Sequence, residues 1–211
     1  MVTSDVNLDD VARAVAAAAP ELDEVGRRIF VQTLRLLARG EPVTHSQIAD
    51  AAGVPDEDAE ESLRSWPLAF WDDQDRIVHF WGMSIDRLEP THSMEIDDMT
   101  VYGWCAWDTL FIPEILNTDA HVESADPHNG ETVRLTVTPE GVKQIHPLGA
   151  MVSFLLPDGP LGADVVQRFC HFVHFFSSPE SGQAWIGQHP GTFLMTVDQA
   201  FELGRLTNQL R

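Results

Sequence analysis

Two cysteines and one aspartate are the side chains of this sequence whose types and spacing are best suited to chemistry. The chain contains two cysteines, Cys105 and Cys170, and Asp108 follows the first of them by three positions. On a helix, residues three apart share a face, so this thiol and this carboxylate could exchange a proton. If the segment opens a helix, the helix dipole would also lower the pKa of Cys105. The pair alone is weak evidence, because a free cysteine is more often a buried apolar residue.

The second cysteine lies in an aromatic segment, Arg168–Phe176, that also contains two histidines. We interpret this segment as the junction of a helix and a strand over 170–176. His171 and His174 are possible metal ligands, but residues three apart on a strand point to opposite faces and cannot converge on one ion. The sequence therefore predicts no metal site built on these two histidines, and the other histidines show no useful spacing.

The first 88 residues predict a helical module that ends in a hairpin. Apolar residues recur at helical spacing over 22–37, and helix-capping and proline signals predict further helices over 45–52 and 55–66. An acidic turn at 72–75 separates two apolar runs, which is typical of a β-hairpin. Three helices followed by a hairpin predict a winged-helix-like module over residues 1–88.

A winged helix is typical of DNA-binding regulators, but the charge argues against that function. The chain has 33 acidic and 13 basic residues, a net charge of −20 at pH 7, and Lys143 is its one lysine. The predicted recognition helix, Pro55–Arg64, carries five carboxylates and one arginine. Phosphate contacts need basic residues, so we expect neither a nucleic acid nor a membrane as partner. We interpret the module as packing against another domain, and the many carboxylates as favouring a salt-rich cytoplasm.

The remaining residues, 89–211, predict an α+β catalytic domain with a mixed sheet, because short apolar runs alternate with helical stretches. Strands are predicted near residues 92–96, 120–124, 131–138, 151–156, 170–176 and 193–197. Helices are predicted over 103–112 with a stop or kink at Pro113, over 162–169, after Ser178-Pro179-Glu180, and at the C-terminus through Ala200, Leu203, Leu206 and Leu210.

Length and composition indicate an ordinary globular protein of one domain or two small ones. Of the 211 residues, 44% are hydrophobic and 22% are charged. The apolar run Val11–Ala19 is short and follows acidic residues, so we do not interpret it as a signal peptide. No stretch approaches the roughly 20 apolar residues of a membrane helix. We expect a cytoplasmic protein with reduced thiols.

Taken together, the two cysteine motifs resemble those of a known family. The first reads Gly-Trp-Cys-Ala-x-Asp-Thr-Leu over 103–110, and the second reads Phe-Cys-x-x-x-His-Phe-Phe over 169–176. This pairing resembles the organomercurial lyases, also called alkylmercury lyases, bacterial enzymes that split carbon–mercury bonds. The resemblance covers most of the chain. It extends to Glu95-Ile96-Asp97-Asp98, Val133-x-Leu135-Thr136-Val137, Val152-Ser153-x-x-Leu156-Pro157 and Ala200-Phe201-x-Leu203-Gly204.

The resemblance implies roles for three residues. Cys105 and Cys170 match the two family thiols, and Asp108 matches the carboxylate that handles the proton; in the family all three then hold the Hg(II) product. Thiolates are the soft ligands that a soft cation such as mercury prefers, and a positioned carboxyl group can deliver a proton to the leaving carbon. The resemblance further implies an organomercurial substrate, no organic cofactor, an external small thiol as cosubstrate and a handoff of Hg(II) to mercuric reductase.

The sequence departs from the family pattern at two positions. Where many relatives carry a further cysteine between the motifs, this chain aligns Asp126, and the position after Cys170, often a second cysteine, is His171. Neither is one of the reacting groups, so the departure bears on auxiliary thiols and leaves the reacting set complete. Five aromatic residues are candidates to line a pocket, although such residues are more often plain core: Trp104, Trp107, Phe111, Phe169 and Phe172.

Two other classes of function use the same residues. A binding protein could sequester mercury or another soft metal on Cys105 and Cys170 without releasing hydrocarbon. A winged-helix regulator could respond to metal through the same thiols, although the acidic recognition helix disfavours DNA binding. Loss of turnover with retained mercury binding in Asp108→Ala would separate a lyase from a trap.

Overall fold

Four helices open the part of the chain that the computed structural model describes, residues 7–210. They are α1 (Leu8–Ala18), α2 (Glu24–Leu37), α3 (His45–Ala52) and α4 (Asp56–Ser65). Residues 1–6 of the predicted N-terminal module and Arg211 lie outside the described range. The predicted cap of α3 is confirmed: the Thr44 hydroxyl accepts from the Gln47 backbone N–H, and the Gln47 carboxamide accepts from the Thr44 N–H. Such a reciprocal pair satisfies two N–H groups that the helix leaves unbonded.

The predicted hairpin follows these helices and is also confirmed. Strands β1 (Ala69–Trp71) and β2 (Ile77–Phe80) pair antiparallel, and the Asp72 carboxylate accepts hydrogen bonds from the backbone N–H groups of Gln74 and Arg76 in the turn. A tight turn at Trp81 and Gly82 then leads to the short strand β3 (Met83–Ser84).

The hairpin belongs to a sheet of eight strands that continues far beyond it. The other strands are β4 (His92–Ile96), β5 (Met99–Gly103), β6 (Ala120–Ala125), β7 (Thr132–Thr138) and β8 (Gly141–His146). Their order is β1-β2-β3-β5-β4-β6-β7-β8, so the sheet runs across residue 88, where the sequence predicts a domain boundary. Strands β3, β5 and β8 were not predicted; β8 has no buried residue, so no apolar alternation marks it.

A second sheet has three strands. Strand β9 (Met151–Phe154) lies between β10 (Phe175–Phe176) and β11 (Phe193–Thr196), and β10 contacts β6 of the first sheet. Every strand pairing within residues 7–210 is antiparallel, so the prediction of a mixed sheet was wrong. Most neighbours in the large sheet are joined by short turns, and parallel pairing would have required longer crossover connections.

Four helices and a short turn complete the fold. The helices are α5 (Asp108–Leu116), α6 (Val165–Arg168), α7 (Pro179–Ile186) and α8 (Val197–Gln209). The prediction of a strand over 170–176 was mostly wrong, because Cys170–Phe172 forms a 3₁₀ helix. In it the Phe172 N–H donates to the Phe169 carbonyl and the Val173 N–H donates to the Cys170 carbonyl. Only Phe175 and Phe176 pair with a neighbouring strand.

Helix α5 differs from the prediction at both ends. It begins at Asp108 instead of residue 103, because residues 99–103 pair with β3 and β4. It continues through Pro113 to Leu116, where Asn117 adopts a left-handed conformation. Most of the helix is buried, so packing outweighs the hydrogen bond that proline cannot make.

One apolar core joins the two predicted regions. It includes residues of α1 and α2 as well as of α5 and the large sheet, and α1 packs directly against α8. The chain therefore folds as an α+β protein with antiparallel sheets. No helix within the described range is both long and apolar enough to cross a membrane.

Candidate active site

The first motif forms a tight turn between a strand and a helix. Strand β5 ends at Gly103, the chain turns through residues 104–107, and α5 begins at Asp108. A Cβ atom at Gly103 would lie 2.8 Å from the Cys105 carbonyl oxygen and 2.9 Å from Thr109 Cγ2. Real Cβ atoms do not approach so closely, so this turn requires glycine. Cys105 thus lies just before the helix, not on it as the spacing predicted.

A second turn, from the N-terminal region, closes over the same place. Trp81 (φ 47°) and Gly82 (φ 91°) are both left-handed, and the Gly82 carbonyl accepts a hydrogen bond of 2.8 Å from the Trp104 N–H. A Cβ atom at Gly82 would overlap the Asp108 carboxylate, at 2.6 Å from its Cγ. The Gly82 backbone therefore lies directly against Asp108, and residues before position 88 contribute to this site.

A backbone hydrogen bond joins the two cysteine motifs. The Ala106 N–H donates to the Val173 carbonyl at 3.1 Å, which fixes the turn containing Cys105 beside the 3₁₀ helix containing Cys170. The Ser153 hydroxyl donates to the Phe172 carbonyl at 2.8 Å and accepts from the His174 N–H at 3.0 Å. Strand β9 thereby holds the second motif from the other side.

These contacts bring the three predicted site residues together. Cys105, Asp108 and Cys170 each offer one metal-ligating atom, and the three atoms lie within 4.8 Å of one another. All three residues are buried, with 0%, 6% and 4% of their surface exposed. The Asp108 Oδ2 accepts a hydrogen bond of 2.7 Å from the Cys105 backbone N–H, which orients the carboxylate toward the first thiol. Two thiols and one carboxylate in this geometry form a compact ligand set for a soft cation.

Burial raises the pKa values of both thiols and favours their protonated forms. It raises the pKa of Cys105 well above its ordinary value, and the hydrogen bond to Cys170 and the nearby Asp108 add to this effect. The hydrogen bond from Cys105 lowers the pKa of Cys170, but burial and Asp108 outweigh it, so this pKa is also raised. The expected lowering of the Cys105 pKa by a helix dipole is therefore wrong, because desolvation dominates.

Two cavities meet at Cys170. The smaller, of about 30 Å³, is lined by Asp108, Gly82 and Cys170 and by the aromatic rings of Trp81, Trp104, Trp107, Phe111 and Phe169. Four of the five aromatic residues singled out from the sequence are among these; Phe172 instead packs against a separate apolar cluster. The larger cavity, of about 300 Å³, reaches Cys170 from another side.

The two histidines of the second motif lie apart from each other, and Asp126 lies apart from the two thiols. His171 is exposed, whereas His174 is buried and its Nε2 lies 2.7 Å from the His171 carbonyl oxygen. Their ring centroids lie 6.3 Å apart. Asp126 is buried away from the thiols and accepts hydrogen bonds from the Ser177 N–H, 2.8 Å, and the Ser181 hydroxyl, 2.6 Å.

Sequence reasoning missed the residues that shape the site without reacting. Gly82 and Gly103 carry no reactive group, and their neighbours become visible only once the chain is folded. The only signal of this role in the sequence was the two glycines themselves. A glycine in or at the end of a strand often marks a place where a neighbouring group approaches the backbone closely.

Comparison with known proteins agrees with this geometry. A family model described as alkylmercury lyase (MerB) matches residues 87–209. The alkylmercury lyase of Staphylococcus epidermidis is 39% identical over 177 residues, which cover 84% of this chain and 80% of that protein. The alkylmercury lyase of Streptomyces lividans is 40% identical over 172 residues, 82% of this chain and 78% of that protein. That of Pseudomonas putida is 38% identical over 178 residues, 84% of this chain and 82% of that protein.

The fold is also shared with a solved structure. A crystal structure of the mercury-bound form of MerB2 superposes with a TM-score of 0.74 over 98% of this chain and 100% of that one, at 22% identity. At that identity the likeness concerns the fold. The match of the family model to more than half of the chain, together with relatives near 40% identity, establishes the assignment. The chain belongs to the alkylmercury lyase family.

Proposed function

We propose that this lyase cleaves organomercurials by protonolysis, with Cys105 and Cys170 as the mercury-binding thiols and Asp108 as the proton carrier. The observation that carries the proposal is the convergence of the three ligating atoms within 4.8 Å in a buried site. The reaction needs two soft ligands on mercury and one acid close to the carbon, and the site supplies these groups.

We infer that Cys170 captures the substrate first. Cys170 lines both cavities, whereas Cys105 has no exposed surface and lines neither. The Cys170 thiol also accepts a hydrogen bond from Cys105, which favours the ionised form of Cys170. At Cys105, burial is the largest effect and raises the pKa. In this step a sulfur–mercury bond forms, the ligand that accompanied the organomercury cation leaves, and the Cys170 proton leaves with it.

The second thiol then supplies the proton that reaches carbon. As the Cys105 sulfur binds mercury, its proton passes to the Asp108 carboxylate, which the Cys105 N–H holds in place. Two sulfur ligands weaken the mercury–carbon bond by donating electron density to the metal. Asp108 then gives the proton to carbon, the mercury–carbon bond breaks and the hydrocarbon leaves. Hg(II) remains bound by the two sulfurs and the carboxylate.

Turnover then requires removal of Hg(II). We propose that two external small thiols take the metal as a dithiolate complex and return one proton to each cysteine, and that no organic cofactor takes part. A handoff of Hg(II) to mercuric reductase would use the same exchange chemistry, in the cytoplasm. We also propose that residues 1–88 form a winged-helix-like module that packs against the catalytic domain of residues 89–211 and shares its core and its large sheet. The order of α2–α4 and the β1–β2 hairpin supports the winged-helix-like character of this module.

The proposal is tested by measuring hydrocarbon release. Purified protein is incubated with phenylmercuric acetate and excess small thiol, at low and high salt, and benzene is quantified by headspace gas chromatography. We expect catalytic benzene release by the native chain and none by Cys105→Ser or Cys170→Ser. Stoichiometric mercury binding without benzene at either salt concentration would contradict protonolysis and indicate a soft-metal trap.

The order of capture has its own readout. Cys105→Ser should still bind one phenylmercury cation on Cys170 and release no benzene. Cys170→Ser should bind phenylmercury much more slowly, because its remaining thiol is fully buried. Equal capture rates in the two variants would contradict the order proposed here.

A further inference from the structure

The two cavities at Cys170 share Trp104 and Cys170 and are otherwise lined by different residues. Asp108 lines the smaller cavity, but it is not among the described residues that line the larger one. A proton donor must approach within hydrogen-bond distance of the atom that it protonates. The carbon bonded to mercury must therefore face the smaller cavity during cleavage, and the larger cavity does not present the Asp108 carboxyl group to that carbon.

The position of the larger cavity suits a later step of the cycle. After cleavage, Hg(II) is enclosed by Cys105, Asp108 and Cys170, so an incoming ligand needs a path to a mercury–sulfur bond. The larger cavity provides one, because it ends at Cys170. Its lining includes the exposed residues Glu89 and His171 and the aromatic residues Phe70 and Trp104.

We propose that the larger cavity binds the small thiol that removes Hg(II) from Cys170. This inference rests on the proposed function and identifies the site of its cosubstrate. The thiol sulfur forms a bond to mercury, the bond between mercury and the Cys170 sulfur breaks, and the proton of the incoming thiol passes to Cys170. A second thiol repeats the exchange at Cys105, so no oxidation or reduction takes place.

The lining of the cavity indicates which thiols fit. Its volume of about 300 Å³ is at the small end of ligand pockets, which favours a short thiol. Its walls are largely apolar and include Leu88, Pro90 and Val166. Its charged lining residue is the carboxylate of Glu89, and none of the described lining residues is a lysine or arginine. Of the two lining histidines, His79 has a pKa that burial lowers, which disfavours its cationic form. A thiol bearing several carboxylates would find no lysine or arginine there and would face the Glu89 carboxylate, so we expect an uncharged or amino-bearing small thiol.

The test separates the first turnover from the following ones. Val166→Phe and Ala163→Phe both place a ring in the larger cavity, and Ala163 is exposed, so the second variant is expected to fold. Ala51→Phe is the matched control, because Ala51 is also exposed and lies on α3, away from both cavities. The substrate is methylmercury chloride, since a methyl group suits a cavity of about 30 Å³. Methane is measured without thiol and then with 2-mercaptoethanol.

We expect the first equivalent of methane to form at the native rate in all variants. Steady-state turnover should fall about tenfold in the two cavity variants and recover as the 2-mercaptoethanol concentration rises. Ala51→Phe should behave like the native chain. A slower first turnover with unchanged dependence on thiol would overturn the inference and assign the cavity to the organic group. Absence of methane from the native chain would instead contradict the proposed function.

A second measurement needs no cleavage. Native protein loaded with Hg(II) is mixed with 2-mercaptoethanol, cysteamine or mercaptosuccinate in high salt, and the mercury that stays with the protein is measured after rapid desalting at successive times. High salt screens the net charge of −20, so the remaining difference reports on the cavity. We expect mercaptosuccinate to remove mercury about tenfold more slowly than the other two. Equal rates for the three thiols, unchanged in Val166→Phe, would contradict a binding site in this cavity.

Discussion

Asp108 and Asp126 are both buried aspartates, 6% and 1% exposed, and their surroundings differ sharply. Asp126 accepts four hydrogen bonds: from the His128 N–H, from the N–H and hydroxyl of Ser177, and from the Ser181 hydroxyl. Asp108 instead lies against two protonated thiols and the small cavity. A carboxylate surrounded by fixed donors holds two segments of the chain together. One placed between thiols and a cavity can accept a proton and pass it on.

The same contrast bears on Asp126, which stands where the family resemblance suggests a cysteine. Its hydrogen bonds join the turn after β6 to the start of α7, and β10 lies directly before that point. Asp126 therefore supports the strand that follows the second cysteine motif. Asp126 is a buried structural hydrogen-bond acceptor, a role that the sequence alone did not identify.

The largest expected effect is the loss of hydrocarbon release on removal of the Asp108 carboxylate, which distinguishes Asp108 from Asp126. Asp108→Ala should lower hydrocarbon release by roughly 10²–10⁴-fold, the usual contribution of a positioned acid, while one Hg(II) still binds the two thiols. Benzene release and mercury stoichiometry are measured on the same preparation. Equal loss of mercury binding and turnover would contradict the role of Asp108 as proton carrier.

Acid should destabilise the protein through two buried histidines, His92 and His174, the second of which is within electrostatic reach of Asp126. Burial lowers the pKa of His92 to about 3 and, aided by His171, that of His174 to about 4, although a hydrogen bond to the His171 carbonyl opposes the second shift. The unfolded chain, with histidine pKa values near 6.5, then binds more protons than the folded one. Stability therefore falls as pH drops below about 6.5, by roughly 2 kcal/mol per histidine at pH 5.

Urea unfolding at pH 7 and pH 5 measures this loss. His92→Phe should remove about half of the acid sensitivity, whatever its effect at pH 7, because a phenyl ring does not titrate. His146→Phe, at an exposed residue, is the matched control and should leave the sensitivity unchanged. Identical acid sensitivity in the native chain and His92→Phe would show that other groups cause it.

Asp126→Ala should reduce stability and spare chemistry. The substitution leaves the Ser177 and Ser181 hydroxyls and two backbone N–H groups without their acceptor, a cost of about 1–3 kcal/mol or more. Thermal unfolding should shift downward, while the first turnover of the folded fraction stays near the native rate. Asp73→Ala, in the exposed β1–β2 turn, is the control for loss of a carboxylate. A native melting temperature with lost first turnover would reverse the contrast with Asp108.

The smallest effect concerns the position of the Asp108 carboxylate. Gly82→Ala places a methyl group where that carboxylate lies and should lower the cleavage rate about tenfold while mercury binding persists. Gly53→Ala is a close control, because Gly53 also has a positive φ, 65°, but a Cβ atom there meets nothing within 4 Å. Both variants place alanine at a positive φ, and Gly82→Ala should lose the larger amount of stability because its methyl group also overlaps Asp108. If both variants cleave at the same rate, backbone strain explains the effect and Gly82 has no positioning role.

Local signals predicted much of this fold. The Thr44 cap, the hairpin at 69–80 and the strands of the 92–96 and 132–138 regions follow from capping side chains, turn residues and short runs of apolar residues, all of which are local in the chain. Predictions failed where tertiary contacts decide. The segment 99–103 became a strand by pairing with β4, and 170–172 became a 3₁₀ helix beside the first motif.

The sequence by itself supplied the candidate reacting groups, because two thiols and a carboxylate three residues from one of them, in two motifs that together resemble those of one family, favour soft-metal binding and proton transfer. Only the tertiary structure decided how they meet. Cys105 and Cys170 lie far apart in the chain, and the backbone hydrogen bond from Ala106 to Val173 brings their segments together. Burial then reversed the pKa shift expected at Cys105, since desolvation depends on neighbours from the whole fold and not on the local sequence.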